Sequence, residues 1–206
     1  MNEVLFARTF LIGLAVAAPV GAMGVLCMQR TLKQGPLAGL ATGLGIATAD
    51  ALYAGMAAFG VAAVASTLVK LQVPLRIVGG LALIYLGIKA LKPAQSCDAD
   101  TEIRKEAPLA LYLSAVGLTL TNPMTIMAFG AIFAGAGLSV APTLSAAGLA
   151  TVGVALGSLT WWVALVIGVS FAKQGLGDEF SAWVSRVSGI VIAAFGVIAI
   201  GSVILG

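Results

Sequence analysis

Apolar residues run through this chain in blocks too long for a globular core and too continuous for an amphipathic surface helix. Six such blocks stand out, at 6–28, 38–66, 73–91, 109–134, 142–172 and 187–205. Each matches the roughly 20 apolar residues that a helix needs to cross a bilayer core. The third is interrupted by Arg76 and Lys89, but both lie near its ends, where long cationic side chains reach the interface. Between Glu106 and Lys173 no Asp, Glu, Lys or Arg occurs at all, a run that has to hold two spans. The pattern therefore predicts an all-α integral membrane protein of about six transmembrane helices.

One polar stretch, residues 92–108, breaks the pattern with mixed charge and two prolines, and reads as a linker between two halves, 1–91 and 109–206. The halves resemble each other. GLAVAAP at 13–19 recurs as GLTLTNP at 117–123. RIVGGLALIYLG at 76–87 recurs as RVSGIVIAAFG at 186–196, and GIATAD at 45–50 can be set against GSLTWW at 157–162. Three spans per half is an odd number, so the second half has to be inverted relative to the first, an architecture used by many secondary transporters. A duplication kept without transport is the plainer reading of the same repeats.

Composition agrees with the pattern: 60% of residues are apolar, 9% are charged, and mean hydropathy is +1.09. Soluble domains carry about 25% charge. The net charge of +3 is scattered, without basic runs, and gives no footing to nucleic acid. Instead it reports orientation. Eight Lys and Arg, including Arg30, Lys33, Lys89, Lys92 and Lys173, fall in the connections 1-2, 3-4 and 5-6, against Arg8, Lys70 and Arg76 on the other side. The positive-inside rule puts the larger set in the cytoplasm and both termini outside. The N-terminal block imitates a signal peptide, but it continues to Met28, long enough to span, so its removal is not expected. Cys27 and Cys97 suggest no disulfide framework.

Candidate chemistry is sparse. Of eight acids, Asp50 alone falls within an apolar block, where a charge costs about 2.5–3.5 kcal/mol on insertion scales and so marks a functional position by default. On a helix it shares a face with Gly39, Gly43, Ala47, Tyr53 and Ala54, so it should face protein. A structural acid hydrogen-bonded to Tyr53 is the alternative. Pro19 and Pro123 lie mid-span at matching repeat positions, and each should kink or break its helix. A break at Pro19 would expose first-turn amides near Gly21, Ala22 and Met23 to a substrate carboxylate, with Asn122 at the corresponding place in the second half. Ordinary proline kinks are the competing account. Trp161, Trp162, Tyr53 and Tyr85 are as readily core as cavity. With no histidine and a single buried acid, hydrolytic sites, metal centres and resident cofactors find no ligands, and no nucleotide-binding glycine loop is present.

The segments APVGAMGVLCMQRTLKQGPLAGLATGLGIATADALY, LRIVGGLALIYLGIKALK, LTLTNPMTIMAF and LGSLTWWVAL resemble the lysine exporter (LysE/RhtB) superfamily over nearly the whole chain. The resemblance implies a compact bacterial inner-membrane exporter of amino acids or related metabolites driven by the proton-motive force. It also carries over an Asp late in the second helix, Asp50, and an Asn-Pro in the fourth, Asn122-Pro123. The Pro-Gly-Pro or Gly-Pro element of the first helix is only approximated by Pro19, Val20 and Gly21. The expected mechanism is alternating access around a midplane site at the repeat interface. Asp50 there takes an ammonium or the coupling proton, and the partners are a small-molecule substrate, protons and the lipid bilayer, with room for a homodimer. An inorganic cation exporter and a non-transporting membrane scaffold are the alternatives.

Overall fold

A computed structural model describes residues 2–19, 21–59, 73–74, 77–88, 106–122, 125–126, 128–129 and 143–204, apart from the side chains of 174–185, 199, 202 and 204. Pro123, most of the linker, Arg76, Lys89 and the far ends of the second and fourth predicted spans lie outside these residues. All regular structure described is helical.

The first predicted span is two helices, α1 (Asn2–Ala17) and α2 (Ala22–Gln34), which meet at 77°. The last helical bond of α1 runs from Ala18 N to Leu14 O, and the next residue, Pro19, has no N–H to continue the ladder. Contrary to the predicted loop after Met28, α2 runs on to Gln34, and a single residue, Gly35, joins it to α3 (Pro36–Ala58). Gly35 sits at φ 96°, a left-handed backbone that glycine adopts without strain, and Pro36 starts the next helix with φ already set. The helix extends because its polar end is buried and satisfied: Arg30, 6% exposed, donates to Thr42 Oγ1, Leu111 O and Ser114 Oγ.

α3 places Gly39, Gly43, Ala47, Asp50, Tyr53 and Ala54 on its buried face and turns Leu37, Leu40, Leu44 and Leu52 outward. Such a division of small and bulky residues is that of a helix packed on protein on one side and on lipid on the other. Next come α4 (Ile77–Ile88), α5 (Pro108–Thr121) and a helical run α6 (Leu144–Ile204). Trp162 and Phe195 line one cavity, yet 33 residues of straight helix would hold them about 50 Å apart. So α6 is folded back into two limbs, Leu144–Lys173 and Arg186–Ile198. By length and composition α3 and the first limb can each cross a bilayer, as can the bent α1–α2 pair if it is one span. The remaining apolar helices are shorter.

The packing is reciprocal. An ideal Cβ built on Gly80 of α4 would come within 2.9 Å of Gly196 O, and one on Gly196 within 2.5 Å of Gly80 O. Gly87 meets Gly189 O in the same way at 2.7 Å. Likewise Gly45 of α3 abuts Tyr112 O of α5, and Gly157 of α6 abuts Phe10 O of α1. At one end of the bundle Glu106 N donates to Gln34 Oε1 at 3.2 Å and Lys173 Nζ donates to Leu32 O at 2.7 Å.

Candidate functional site

The break between α1 and α2 shapes one wall of a cavity of about 210 Å³. Gly21 N turns back onto Pro19 O at 2.9 Å, and the first bond of α2 runs from Val25 N to Gly21 O at 3.1 Å. The amides of Ala22, Met23 and Gly24 therefore precede the first intrahelical bond, and no side chain caps this turn. Pro19, Gly21, Met23 and Gly24 all line the cavity. Relative to the sequence expectation the available amides shift by one residue toward Gly24, because the Gly21 amide is used within the turn.

Asp50 forms the facing wall, and it is 2% exposed. Its Oδ2 accepts from Ser158 Oγ at 2.6 Å, and Ser158 Oγ accepts in turn from Trp162 Nε1 at 3.1 Å. Ser158 and Trp162 stand four residues apart on one face of α6, so the indole orients the hydroxyl and the hydroxyl orients the carboxylate. A hydrogen bond to a charged acceptor of this kind is worth about 1.5–3 kcal/mol. Among the described residues the other carboxylate oxygen, Oδ1, has no such serine partner.

Asn122 caps α5 with an extended backbone, is 8% exposed and lines the same cavity with Thr125, Trp162 and Phe195. The cavity thus draws on the α1–α2 break, α3, the end of α5 and both limbs of α6. It brings together five of the sequence candidates: Pro19, Gly21, Met23, Asp50 and Asn122. Ala22 is buried beside it without lining it, and Pro123 lies outside the described residues. Tyr53 is elsewhere. Its hydroxyl donates to Leu120 O at 2.7 Å and its ring stacks on Phe129 at 5.3 Å, so it ties α3 to the end of α5 and is no partner of Asp50.

Sequence reasoning passed over Ser158. Its signal was present in GSLTWW: a small polar residue one turn before a Trp, in the segment already aligned with the one that carries Asp50. It also treated Arg30 as a loop cation, whereas Arg30 is buried within the bundle. The cavity's side-chain donors and acceptors, one carboxylate, one amide, one hydroxyl and one indole, suit a small solute better than a bare metal ion, which asks for several converging ligands.

Apolar helices of spanning length around a mostly apolar cavity with a buried carboxylate and an amide in its wall define a helical membrane protein. The family model described as "LysE type translocator" matches residues 14–202, and the chain belongs to that transporter family. The chain is 30% identical over 178 residues to "Uncharacterized membrane protein YahN" of Escherichia coli (strain K12), covering 85% of this chain and 79% of that protein. It is 25% identical over 198 residues to "Putative amino acid efflux protein YcgF" of Bacillus subtilis (strain 168), covering 93% of both. A second Bacillus subtilis protein, "Uncharacterized membrane protein YrhP", is 26% identical over 190 residues, or 86% of this chain and 89% of that one. No solved structure matches the chain.

Proposed function

We propose that this protein is a secondary exporter of amino acids in the bacterial inner membrane, driven by the proton-motive force. The observation that carries the reading is the pairing, across one cavity, of a buried carboxylate on α3 with uncapped first-turn amides on α2. Opposite charges of a zwitterion find opposite partners there: the substrate carboxylate accepts from the amides near Met23 and Gly24, and its ammonium meets Asp50. A proton and an ammonium compete for the same carboxylate. Binding of one releases the other, which is the requirement for exchange of solute against protons. Family membership and the efflux named for the Bacillus subtilis relative support the export direction.

The reading includes two inverted halves, 1–91 and 109–206, moving about this site by alternating access. Its support is the reciprocity of the glycine contacts, Gly80 on Gly196 with Gly87 on Gly189, which is what a pseudo-two-fold axis between α4 and the second limb of α6 produces. Orientation follows the basic connections, with both termini outside; the clustering of Leu32, Gln34, Glu106 and Lys173 at one end is consistent with one cytoplasmic face.

The test is efflux from preloaded proteoliposomes under an imposed pH gradient, with L-amino acids supplied one at a time in radiolabelled form. Wild-type protein should export at least one of them faster with the gradient than without it. Equal rates with and without the gradient for every amino acid would overturn the proposal.

A further inference from the structure

The walls of the Asp50 cavity carry one charge and a broad apolar surface. Val16, Met23, Ile46 and Phe195 line it beside the ring of Trp162, whose polar end, Nε1, is already given to Ser158. These five come from α1, α2, α3 and both limbs of α6, so each of those elements presents carbon to the space. Ile46 stands one turn before Asp50 on α3, which sets a branched apolar side chain next to the carboxylate on one face. Asn122 and Thr125, just past α5, are the remaining polar side chains of the lining.

Charge narrows the choice further. The stretches that build the walls, 9–29, 34–69, 107–172 and 187–206, contain a single Asp, Glu, Lys or Arg along their whole length, Asp50. One carboxylate matches one ammonium. With the α-ammonium of an amino acid on Asp50, a cationic side chain on the same solute enters an apolar interior with no second acid to meet it, an expensive state for a buried charge. An anionic side chain fares no better, because it brings a second carboxylate toward Asp50 and finds no cation in these stretches. A neutral polar side chain gives up its water for a lining of alkyl and ring carbon. An apolar one gains by the same exchange, about fourfold in affinity for each methylene buried.

We propose that the substrates of this cavity are α-amino acids with an uncharged apolar side chain, of the leucine and methionine type, and that lysine and glutamate are excluded. The inference rests on the amino-acid reading above and narrows it. Asp50 reads the ammonium that all amino acids share, while Val16, Ile46 and Phe195 read the side chain that distinguishes them.

The test is gradient-driven efflux of radiolabelled L-leucine from proteoliposomes of the full chain, with unlabelled competitors loaded beside it. L-Methionine should compete as well as leucine itself. L-Alanine, three carbons shorter, should compete about sixtyfold less well, and L-lysine and L-glutamate should not compete. Phe195→Ala removes part of the apolar wall and should narrow the preference for leucine over alanine by about fivefold or more. Should that protein fail to fold, Val16→Thr, which keeps the shape of the side chain and adds a hydroxyl, replaces it with the same direction expected. Export of a charged or hydroxyl-bearing amino acid as fast as leucine would overturn the proposal and leave the amino-acid reading standing. A leucine preference unchanged in the variant would do the same. If no amino acid is exported faster with the gradient, both fall. Isoamylamine keeps the side chain and ammonium of leucine and lacks its carboxylate, so competition from it as strong as leucine's would assign the cavity to apolar amines and overturn both readings as well.

Discussion

Among the described residues two charged side chains are buried, and they are held in opposite ways. Arg30 is tied by three hydrogen bonds to α3 and α5, through a hydroxyl and a carbonyl on Nη1 and a hydroxyl on Nη2. Among the described residues Asp50 accepts one hydroxyl, that of Ser158, and it lines a cavity. The guanidinium is a knot that joins elements; the carboxylate is a group kept partly unsatisfied. A low-dielectric interior makes both states expensive, so the first is tolerated because its partners compensate it. For the second, the compensation has to come from something that enters the cavity. Arg30 should therefore be needed first for folding and Asp50 first for transport.

The largest effect follows for Arg30. Arg30→Leu takes the guanidinium donor from Thr42 Oγ1, Ser114 Oγ and Leu111 O, of which Leu111 O keeps the Ser114 hydroxyl, and should cost about 1–3 kcal/mol for each acceptor left short. Folded yield and melting temperature in nanodiscs should collapse. Arg30→Lys, with one donor head for three acceptors, should fall between. An Arg30→Leu protein with wild-type melting would break the contrast from the folding side.

Asp50→Asn comes next. The amide keeps the shape of the carboxylate and can still meet Ser158 Oγ, so the variant should express and melt close to wild type. Gradient-driven efflux should be lost, while exchange of labelled for unlabelled solute down no gradient is the sensitive control for residual binding. Wild-type gradient-driven efflux by this variant would remove Asp50 from coupling and leave the α2 amides as the only support for the site.

The same contrast explains what could be read from the sequence. Hydropathy marked the chain as apolar and helical, though two or three of its six predicted spans are helices of crossing length among the described residues, and the glycine face of α3 put Asp50 toward protein, because both depend on residues close together in the chain. Pro19 marked a break for a local reason too, the missing N–H. The convergence of Pro19, Met23, Asp50 and Asn122 on one cavity was legible only through the repeats, which matched positions across the halves. Partner identity was not legible. Ser158 reaches Asp50 across 108 residues and Leu111 reaches Arg30 across 81, separations over which no periodicity carries information. Nor did hydropathy foresee that α2 would run past Met28, since Gln29, Arg30 and Thr31 look like a loop until their buried partners are known.

Ser158→Ala probes the weaker of the two networks. It removes the hydroxyl that holds Oδ2 of Asp50 and leaves Trp162 Nε1 without its acceptor. The cost to stability should be about 1–2 kcal/mol, the range for a buried hydrogen bond involving a charged group after partial relaxation. Efflux should slow without disappearing, because the carboxylate remains. Ser158→Thr keeps the hydroxyl but crowds a fully buried position, so it separates loss of the bond from loss of fit. If Ser158→Ala abolishes gradient-driven efflux as completely as Asp50→Asn while melting unchanged, then Ser158 belongs to the coupling step itself and the carboxylate is less independent than its single bond suggests.

The smallest effect is expected of Tyr53→Phe, at a position one helical turn beyond Asp50 on the buried face of α3. Its hydroxyl donates to Leu120 O and its ring stacks on Phe129, contacts that fix the end of α5 where Asn122 lines the cavity. Tyr53→Phe keeps the stack and deletes one neutral hydrogen bond, a loss of about 1 kcal/mol. Melting should fall by a few degrees, which for a chain of this length is the shift that 1 kcal/mol produces, about 2–4 °C. Transport at saturating substrate should stay near wild type. Tyr53→Ala removes the ring as well and should cost about 3–5 kcal/mol through the void it leaves beside Phe129. A Tyr53→Phe protein that melts normally yet needs far more substrate for half-maximal efflux would make Tyr53 a binding residue, and the boundary drawn here between the carboxylate that faces the cavity and the tyrosine that clamps its wall would have to move by one turn of α3.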